Sequence, residues 1–563
     1  MAKTVSVKVL NDGKTYELEM GSSLAELAAK CSTSGTILAA IVDHKLKELS
    51  FDLFYSHEVE FIGYDHADGR RTYLRSLCYL LQHAARTVLP DKLLVIDHSL
   101  PSGFYCEILE RHHGMPGRTP VYPITPSEID ALEAEMRRLS EKDLPFTKDK
   151  ILATEAEAIF ESNYQFHKAG LQRSLGRYFC SVYYLDGQVD SFHGPLVPST
   201  GYLKVFGLLP FGQGFCLQYP DEADPSRTLP AKAQVKMAAT LAQYSDWCYT
   251  NHILGIGELN RKLLDGGAVN LINLCEARHE RRYAEIANEI YMEKDRVKIV
   301  FIAGPSSSGK TSSSLRIAQQ CKVLGLNPKV IELDNYFVER EQTPRDEKGE
   351  YDFEALGAMD LELLNRNLND LLDGKEVEIP RYDFKLGKKF FEGKMLRLEE
   401  GDILIMEGIH ALDPAMVPTV DQDRIYRVYA SALTSLNVDE NNHISTSDNR
   451  LLRRMVRDNR VRGISPEQTL LRWHSVRRGE DRNIFPFQEN ADSLMNTALL
   501  YELPMLKYFA EPLLRRIHPD SPAYCEAVRL LKFLDYIVAL QPSEIECIPP
   551  TSIMREFIGG QTL

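Results

Sequence analysis

The residues Gly304–Thr311 have the types and the spacing of a loop that binds phosphate. Their sequence, Gly-Pro-Ser-Ser-Ser-Gly-Lys-Thr, fits the pattern G-x-x-x-x-G-K-[ST]. Glycines let the backbone fold tightly around an anion, and successive N–H groups then point inward. Lys310 can reach the outer phosphates, and the Thr311 hydroxyl can ligate Mg²⁺. The sequence therefore predicts a site for a nucleoside triphosphate, with contacts from Gly304, Ser306, Ser307, Ser308, Gly309, Lys310, Thr311 and Ser312.

Two elements must hold this loop, and the apolar residues around it indicate both. Residues 297–303 are predicted to form a buried strand that enters the loop. Leu315, Ala318, Cys321 and Leu324 then recur at helical spacing, so a helix begins where the loop ends. The helix N-terminus adds a partial positive charge that favours phosphate. A turn rich in glycine and serine can match the pattern by chance, but this alternative does not account for the strand and the helix.

Two carboxylates stand at the ends of further predicted strands. Asp334 follows the strand 328–333, and Glu407 ends the strand 402–407. Ligands of open α/β sheets bind at the carboxyl ends of the parallel strands. A carboxylate there can hold Mg²⁺ or take a proton from an attacking hydroxyl. The alternative is that each acid only caps the following turn, but two such acids behind a phosphate loop favour a functional site.

Four segments of this region occur in the order found in uridine kinases. They are Gly304–Thr311, Leu333–Phe337, Ile379–Phe384 and Met406–Ile409. The stretch from about residue 295 to 500 thus resembles the uridine kinases and the wider group that includes phosphoribulokinase. The resemblance implies an ATP- and Mg²⁺-dependent transfer of phosphate to a nucleoside such as uridine.

The same resemblance implies roles for individual residues. Asp334 takes the position of the base for the sugar 5′-hydroxyl, and Glu407 that of an acid associated with Mg²⁺. Asp352 resembles the carboxylate that binds ribose hydroxyls, as a carboxylate can accept two hydrogen bonds from a vicinal diol. Tyr382 and Phe384 resemble the aromatic wall beside the base. Packing in the core is the alternative for these two aromatic residues.

Ten arginines lie between Arg450 and Arg482. Arg450, Arg453, Arg454 and Arg457 recur at steps of three and four, so they share one face of a predicted helix. Arginines that close over a migrating phosphoryl group stabilise its charge. Uridine kinases have an arginine-bearing lid here, and Arg454 and Arg457 match its pattern best, with Arg462 as a further candidate. The alternative is a solvated basic helix that pairs with acidic neighbours.

The chain departs from the uridine kinases at positions that read the base. Gly387 stands where the family has a histidine, Arg472 where it has a glutamine, and Ile464 where it has an arginine. The phosphate and metal positions persist. The reaction type is therefore better defined than the acceptor, and the lysine-rich loop 385–394 can suit a different small hydroxyl compound.

The composition favours a globular protein of several domains. The chain has 563 residues, of which 44% are hydrophobic, and a net charge of −14. This charge disfavours a broad nucleic-acid-binding surface. The ten cysteines form no C-x-x-C pair, no apolar run reaches the length of a membrane span, and the N-terminus lacks the core of a signal peptide. We therefore expect a cytoplasmic protein.

Residues 281–563 alternate strands and helices. The predicted strands are 297–303, 328–333, 402–407 and 424–430, and this alternation predicts a parallel sheet with helices on both faces. The fold class is α/β, a P-loop NTPase sheet preceded by a small β-grasp module and an α+β domain. The C-terminal part is predicted to form two helices, Leu506–Ile517 and Ala523–Leu540.

The N-terminal half resembles parts of threonyl-tRNA synthetases. Residues 1–62 resemble the TGS domain, with predicted strands Thr4–Val9 and Thr15–Glu19. Residues 63–280 resemble the editing domain, on three pieces of sequence: Asp68–Tyr73, Ser102–Tyr105 and His193–Gly201.

The editing site itself is predicted to be lost. The synthetases have an H-x-x-x-H pair and a C-x-x-x-H pair, whereas the matching positions here are Arg75, Tyr79, Phe192 and Leu196. These side chains cannot reproduce the polar cluster that handles water and an ester. The nearby His83 and His193 are more typical of structural histidines.

These observations favour a kinase that uses ATP and Mg²⁺ to phosphorylate a small, nucleoside-like acceptor. The alternative is a regulatory P-loop protein associated with tRNA or the ribosome through its N-terminal domains. Asp334, Asp352 and Tyr382 favour the kinase, because a switch protein needs no sugar-binding acid. We expect a homo-oligomer without a membrane partner.

Overall fold

The computed structural model describes residues 3–33, 35–101, 103–110, 121–228, 230, 234–345, 349, 351–434 and 436–563. Ser102, which begins one of the synthetase-like pieces, lies outside the described residues. Within the described ranges, no helix combines the length and the apolar composition that a membrane crossing requires.

The N-terminal module is a five-stranded mixed sheet with one short helix, Leu24–Ala28. Ser23 caps this helix through a capping box with Glu26. The strand Thr4–Val9 pairs antiparallel with Thr15–Glu19 and parallel with His57–Ile62. In sheet order, the strands are Thr15–Glu19, Thr4–Val9, His57–Ile62, Ala39–Val42 and Lys45–Lys47, and a separate pair is Ser22–Ser23 with Asp52–Leu53.

The middle region packs helices against antiparallel sheets. One sheet contains Lys92–Leu100, Gly103–Glu110, Val121–Tyr122, Gly207–Phe211 and Gly214–Gln218, and another contains Thr147–Leu152, Phe179–Leu185 and Gln188–Asp190. The helices are Ala67–Val88, Pro126–Glu141, Ala153–Ser162, Phe166–Leu175, Val235–Thr250, Ile256–Leu264 and Ala268–Met292, with a 3₁₀ turn at Thr200–Tyr202. The predicted domain boundary at 280/281 falls inside the helix Ala268–Met292, which is therefore shared by two regions.

The third region is built on a five-stranded parallel sheet, as the alternation of strands and helices predicts. Its order is Asn327–Glu332, Asp402–Glu407, Ile299–Ala303, Ile425–Ser431 and Ser493–Asn496. The strands Ile299–Ala303 and Asp402–Glu407 are buried at every residue, because helices cover both faces of the sheet. Sequence reasoning missed the edge strand Ser493–Asn496, which is only four residues long.

Helices surround this sheet and extend beyond it. They are Lys310–Val323, Leu361–Leu372, Thr446–Arg457, Pro466–Asn483, Glu502–Leu514, Tyr524–Leu534, Pro542–Glu546 and Met554–Ile558, with a π-helical turn at Asp458–Arg462. The 3₁₀ turns are Leu333–Tyr336, Arg340–Gln342, Leu356–Ala358, Pro414–Met416, Gln422–Arg424 and Phe485–Asn490. Two small hairpins pair Val377–Glu378 with Met395–Leu396 and Arg381–Asp383 with Lys388–Phe390. The predicted helix Ala523–Leu540 was too long, since the structure ends it at Leu534.

The middle and third regions share buried polar contacts. The Glu440 carbonyl accepts a hydrogen bond from the Ile96 N–H (3.0 Å). The Asn437 amide donates to the carbonyls of Ile96 (3.0 Å) and Asp97 (2.9 Å). The loop that precedes the helix Thr446–Arg457 is thus tied to the N-terminal half.

Candidate active site

The phosphate loop joins the strand Ile299–Ala303 to the helix Lys310–Val323, as predicted. At Gly304 a Cβ atom would lie 2.0 Å from the carbonyl oxygen of Ala430, so only glycine fits. Gly309 has a φ of 85°, in the left-handed region that favours glycine. The sequence thus folds into a loop whose following helix N-terminus faces the space for an anion.

The polar side chains of the loop are arranged for a ligand. The hydroxyls of Ser307 and Ser308 are buried and have no hydrogen-bond partner among the described residues. The Lys310 ammonium turns back to the Pro305 carbonyl at 3.3 Å. Buried polar groups are normally paired, so the two serine hydroxyls fit a site that phosphate oxygens complete.

Buried side chains from three neighbouring segments hold the backbone of the loop. Arg450 donates to the Ser306 carbonyl (3.1 Å) and forms a two-pronged ion pair with Glu480 (2.5 and 2.8 Å). Glu480 in turn accepts from the Ser306 N–H (2.9 Å). Thr497 donates its hydroxyl to the Ser308 carbonyl (2.6 Å). Sequence reasoning missed Glu480 and Thr497, since only long-range packing brings them to the loop.

The arginines of the helix Thr446–Arg457, named here the lid helix, fall into two groups. Arg450 and Arg453 are 1% and 0% exposed, and Arg453 pairs with the buried Glu502. The sequence predicted one shared helix face for all four arginines. It could not show that Arg450 and Arg453 are buried, unlike Arg454 and Arg457. Arg454 instead donates to the Ser306 hydroxyl (2.8 Å), at the open side of the loop.

Arg454, Arg457 and Arg462 converge on a single buried carboxylate, Asp458. Their guanidinium nitrogens lie 3.2, 3.2 and 3.4 Å from its oxygens. Burial lowers the pKa of Arg454 and of Arg462. The three guanidinium groups lie beside the loop, where they suit a triphosphate, and Glu556 lies 3.7 Å from Arg457.

Asp334 and Glu407 lie together in front of the loop, where the sequence predicts them. Burial raises the pKa of Asp334, and the nearby Lys310 opposes this rise. Burial also raises the pKa of Glu407 to about 7, with Lys310 lowering it and Asp334 raising it. Two neighbouring carboxylates with raised pKa values are typical of a catalytic or metal-binding site.

The residues around Glu407 fit Mg²⁺ held partly by other ligands. The Thr311 hydroxyl donates to a Glu407 carboxylate oxygen at 2.7 Å. No group of three His, Cys, Asp or Glu side chains among the described residues converges as a complete metal site. Mg²⁺ usually binds one or two protein oxygens, phosphate oxygens and water, so Thr311 and Glu407 suit this mode.

The residues predicted to contact the sugar and the base are Asp352, Tyr382 and Phe384, which lie between the strands Asn327–Glu332 and Asp402–Glu407 in the chain. Asp352 accepts a hydrogen bond from the Glu354 N–H (3.2 Å). Tyr382 is 7% exposed and packs in the core, whereas Phe384 is 54% exposed. Their ring centroids lie 5.0 Å apart. Phe384 therefore offers an accessible aromatic surface, and Tyr382 supports it from behind.

Arg340 occupies the space beside Gly387, where uridine kinases have a histidine. A Cβ atom on Gly387 would lie 2.8 Å from side-chain atoms of Arg340. The Arg340 guanidinium donates to the Phe384 carbonyl (2.5 Å). The predicted departure at Gly387 thus places a cation beside the aromatic surface. No local pattern pointed to Arg340, because it lies 47 positions before Gly387 in the chain.

Sequence reasoning also missed Glu354. Its side chain packs against the helix Pro466–Asn483, since a Cβ atom on Gly479 would lie 2.5 Å from the Glu354 Cβ. Burial raises the pKa of Glu354, Asp352 adds to the rise, and Arg454 opposes it. The segment that contains Asp352 therefore reaches the lid arginines.

The position of the synthetase editing site is filled by packed side chains. Tyr79, Phe192 and Leu196 belong to one buried hydrophobic cluster with Tyr183 and Leu185. The Tyr79 hydroxyl lies 3.0 Å from the Tyr183 carbonyl oxygen and 2.7 Å from that of Gln188.

Arg75 closes the same position from the side of the helix Ala67–Val88. It donates to the Pro195 carbonyl (3.1 Å) and the Thr72 hydroxyl (3.2 Å). Burial lowers the pKa of Arg75 to about 10. Burial also lowers the pKa of His193, to about 4, and that of His83, so both rings are neutral at pH 7.

The parallel sheet and the loop Gly304–Thr311 together form a P-loop domain. Residues 299–499 match the sequence model of the phosphoribulokinase / uridine kinase family. The match agrees with the resemblance drawn from the four sequence segments.

The N-terminal region is similar to threonine–tRNA ligases. It is 27% identical over 203 residues to the enzyme of Desulforamulus reducens and 32% identical over 203 residues to that of Cupriavidus pinatubonensis. Each match covers 36% of this chain and 30% of the relative. The chain therefore spans about a third of the length of these curated relatives.

Solved kinase structures also align with part of the chain. A putative fructose transport system kinase from Silicibacter sp. TM1040 is 16% identical, with a TM-score of 0.27, and covers 38% of this chain and 98% of its own. A possible uridine kinase from Bacillus stearothermophilus is 16% identical, with a TM-score of 0.25 and the same coverage.

Proposed function

We propose that this protein transfers the γ-phosphoryl group of ATP to the hydroxyl of a small acceptor, with a nucleoside 5′-hydroxyl as the first candidate. The observation that supports this most is the pair of half-buried Asp334 and buried Glu407, which lie beside Lys310 and the Thr311 hydroxyl. A phosphate loop alone is enough to bind a nucleotide. Asp334, a carboxylate with a raised pKa in addition to Glu407, suits proton transfer from an acceptor.

In the proposed reaction, Asp334 takes the proton of the acceptor hydroxyl. The acceptor oxygen forms a bond to the γ-phosphorus, and the bond to the β,γ-bridging oxygen breaks. Lys310, Arg454 and Arg457 stabilise the negative charge on the migrating group. Thr311 and Glu407 hold Mg²⁺, which neutralises charge on the phosphates when it is bound.

The acceptor site is proposed to lie between Asp352 and Phe384. Asp352 binds a vicinal diol, and Phe384 stacks on a flat group. Arg340 adds a cation that can bind a carbonyl, a carboxylate or a phosphate. Uridine and cytidine are the first acceptors to test, and sugar phosphates follow because of Arg340.

The test is ADP release from Mg²⁺-ATP by the purified protein over a panel of nucleosides and sugar phosphates. We expect one acceptor class to stimulate turnover, and Asp334→Asn to lower kcat by about 10² to 10⁴ with unchanged ATP affinity. Exposed Asp373→Asn, in the turn after the helix Leu361–Leu372, is the matched control. Stimulation that survives in Asp334→Asn would contradict the role of the base.

A second candidate function follows from the threonine–tRNA ligase relatives. Here the N-terminal half binds tRNA or the ribosome and regulates ATP hydrolysis at the phosphate loop. The buried contacts of Asn437 with Ile96 and Asp97 favour some coupling between the halves. ADP release that ignores every acceptor but rises with tRNA or ribosomes would replace the first proposal with this one.

A further inference from the structure

The last residues of the chain fold back onto the phosphate loop. Residues 549–563, named here the C-terminal tail, lie beyond the segment 299–499 that matches the kinase family. A Cβ atom on Gly309 would lie 2.1 Å from the Cδ1 atom of Ile553. Arg316, on the helix after the loop, donates to the Thr551 carbonyl at 2.5 Å. The tail therefore forms part of the wall of the nucleotide site.

Two polar side chains of the tail meet the first turn of that helix. A carboxylate oxygen of Glu556 accepts a hydrogen bond from the Ser312 hydroxyl at 2.7 Å. The Gln561 amide donates to the same hydroxyl at 2.8 Å. The second oxygen of Glu556 lies 3.7 Å from Arg457, and the Glu556 side chain is 15% exposed. Glu556 thus bridges the phosphate loop helix and the lid helix.

The tail is a fixed part of the domain and not a removable strap. Ile553, Met554 and Phe557 are at most 2% exposed, within a large hydrophobic core. Arg460 donates to the carbonyls of Phe557 (3.1 Å) and Glu556 (3.0 Å), at the end of the helix Met554–Ile558. The packing of its neighbours and the hydrogen bonds from Arg460 therefore hold Glu556 in place beside Ser312.

The position of Ser312 indicates which part of a nucleotide Glu556 meets. Lys310 reaches the outer phosphates and Thr311 the metal, while the loop backbone holds the inner phosphates. Ser312 follows Thr311 in the first turn of the helix, and its buried hydroxyl meets Glu556 and Gln561. The two tail side chains therefore lie next to the residues that hold the outer phosphates and the metal, where the rest of the nucleotide has to continue. A carboxylate repels phosphate but accepts hydrogen bonds from hydroxyls, and Arg457 offsets its charge.

We propose that Glu556 and Gln561 form the ribose subsite of the nucleotide, with the Glu556 carboxylate accepting hydrogen bonds from the ribose hydroxyls. This proposal rests on the proposed function only in taking ATP as the phosphate donor. It requires no acceptor and no turnover. The subsite would lie outside residues 299–499, the part of the chain that matches the family model.

The test is equilibrium binding to the full-length protein by calorimetry, in the presence of Mg²⁺. The ligands are ATP, 2′-deoxy-ATP, 3′-deoxy-ATP and inorganic tripolyphosphate, which has no ribose. We expect Glu556→Gln to weaken ATP about tenfold or more, because a hydrogen bond to a charged acceptor is lost, and to leave tripolyphosphate unchanged. In the wild type, at least one deoxy analogue should bind about tenfold more weakly than ATP, and Glu556→Gln should remove this difference.

Gln561→Ala guards against a folding defect, since residue 561 lies outside every helix and strand. It should weaken ATP in the same direction and leave tripolyphosphate unchanged. Exposed Glu546→Gln, on the neighbouring helix Pro542–Glu546, is the matched control and should bind ATP like the wild type.

The outcomes separate this proposal from the proposed function. Equal binding of ATP and both deoxy analogues, with no effect of Glu556→Gln, would overturn the ribose subsite alone. Tighter ATP binding in Glu556→Gln would overturn it in favour of an inhibitory carboxylate. A wild type that binds tripolyphosphate but no nucleotide, or neither, would overturn both proposals.

Discussion

The phosphate loop and the position that corresponds to the synthetase editing site, named here the editing-like position, differ in whether their buried polar groups are paired. At the loop, the buried hydroxyls of Ser307 and Ser308 have no partner among the described residues, and Asp334 lies beside Glu407. At the editing-like position, the Tyr79 hydroxyl meets two carbonyls, and Arg75 is bonded to its neighbours.

This difference separates a site that fits a ligand from a position that is filled by packed side chains. An unpaired buried polar group and two crowded carboxylates cost free energy unless a ligand completes them. Paired groups and packed aromatic rings stabilise the fold and leave nothing for water or an ester to bind. Substitutions should therefore reduce function at the loop and stability at the editing-like position.

Lys310→Ala should have the largest effect. Loss of the cation that stabilises the γ-phosphoryl group should lower kcat about 10³-fold or more, while the thermal unfolding midpoint stays near that of the wild type. Steady-state ADP release with the stimulating acceptor measures this. Exposed Lys322→Ala, in the last turn of the same helix, is the control. Activity within tenfold of the wild type would contradict the assigned role.

Tyr79→Ala should act on stability instead. Removing a large buried ring should cost about 3 to 5 kcal/mol of unfolding free energy in the middle region, measured by urea denaturation, with ATP affinity unchanged. Exposed Tyr55→Ala should cost less than about 0.5 kcal/mol. A loss below 1 kcal/mol, or hydrolysis of aminoacyl-tRNA esters by the wild type above background, would contradict a filled site.

Arg453 and Arg454 provide the comparison within one helix. Arg454→Lys should lower kcat about tenfold to a hundredfold, since it loses the guanidinium geometry beside the loop. Arg453→Lys should mainly lower the unfolding midpoint, because Arg453 pairs with buried Glu502. Measuring both variants for turnover and for thermal unfolding tests the division. The division would be wrong if both variants mainly lowered kcat or both mainly lowered the unfolding midpoint.

The smallest expected effect is a pH dependence of stability where the two halves meet. Burial disfavours the charged ring of His167, yet Glu258, Glu440 and Asp439 raise its pKa from 6.5 to about 10. The stabilisation is therefore complete below pH 6.5 and is lost as the pH rises through about 10. The thermal unfolding midpoint should decrease as the pH is raised from 7 to 10. The decrease should be smaller in His167→Gln.

The matched substitution is His518→Gln, since His518 is largely exposed. It should retain the wild-type slope of the unfolding midpoint with pH. If the midpoint of His167→Gln changed with pH as steeply as that of the wild type, groups other than His167 would cause the pH dependence, and the prediction would be wrong.

Much of the kinase region could be predicted because its signals are local. The buried strand, the loop and the helix follow one another in the chain, and the two carboxylates directly end their strands. The edge strand Ser493–Asn496 could not be found this way, as four buried residues show no period. Likewise, helical spacing placed Arg453 and Arg454 on one face but could not tell which one meets a buried partner.

The sequence by itself determined the phosphate loop and the parallel sheet, since both depend on residue types at short spacing. The loss of the editing site stays a prediction that depends on the resemblance to the synthetases. Only the tertiary structure decided which arginines are structural, that Arg340 lies beside Gly387, and that Glu556 reaches Ser312. Glu556 and Ser312 are 244 positions apart. Contacts of this kind arise from packing between distant segments, and no local period of the chain encodes them.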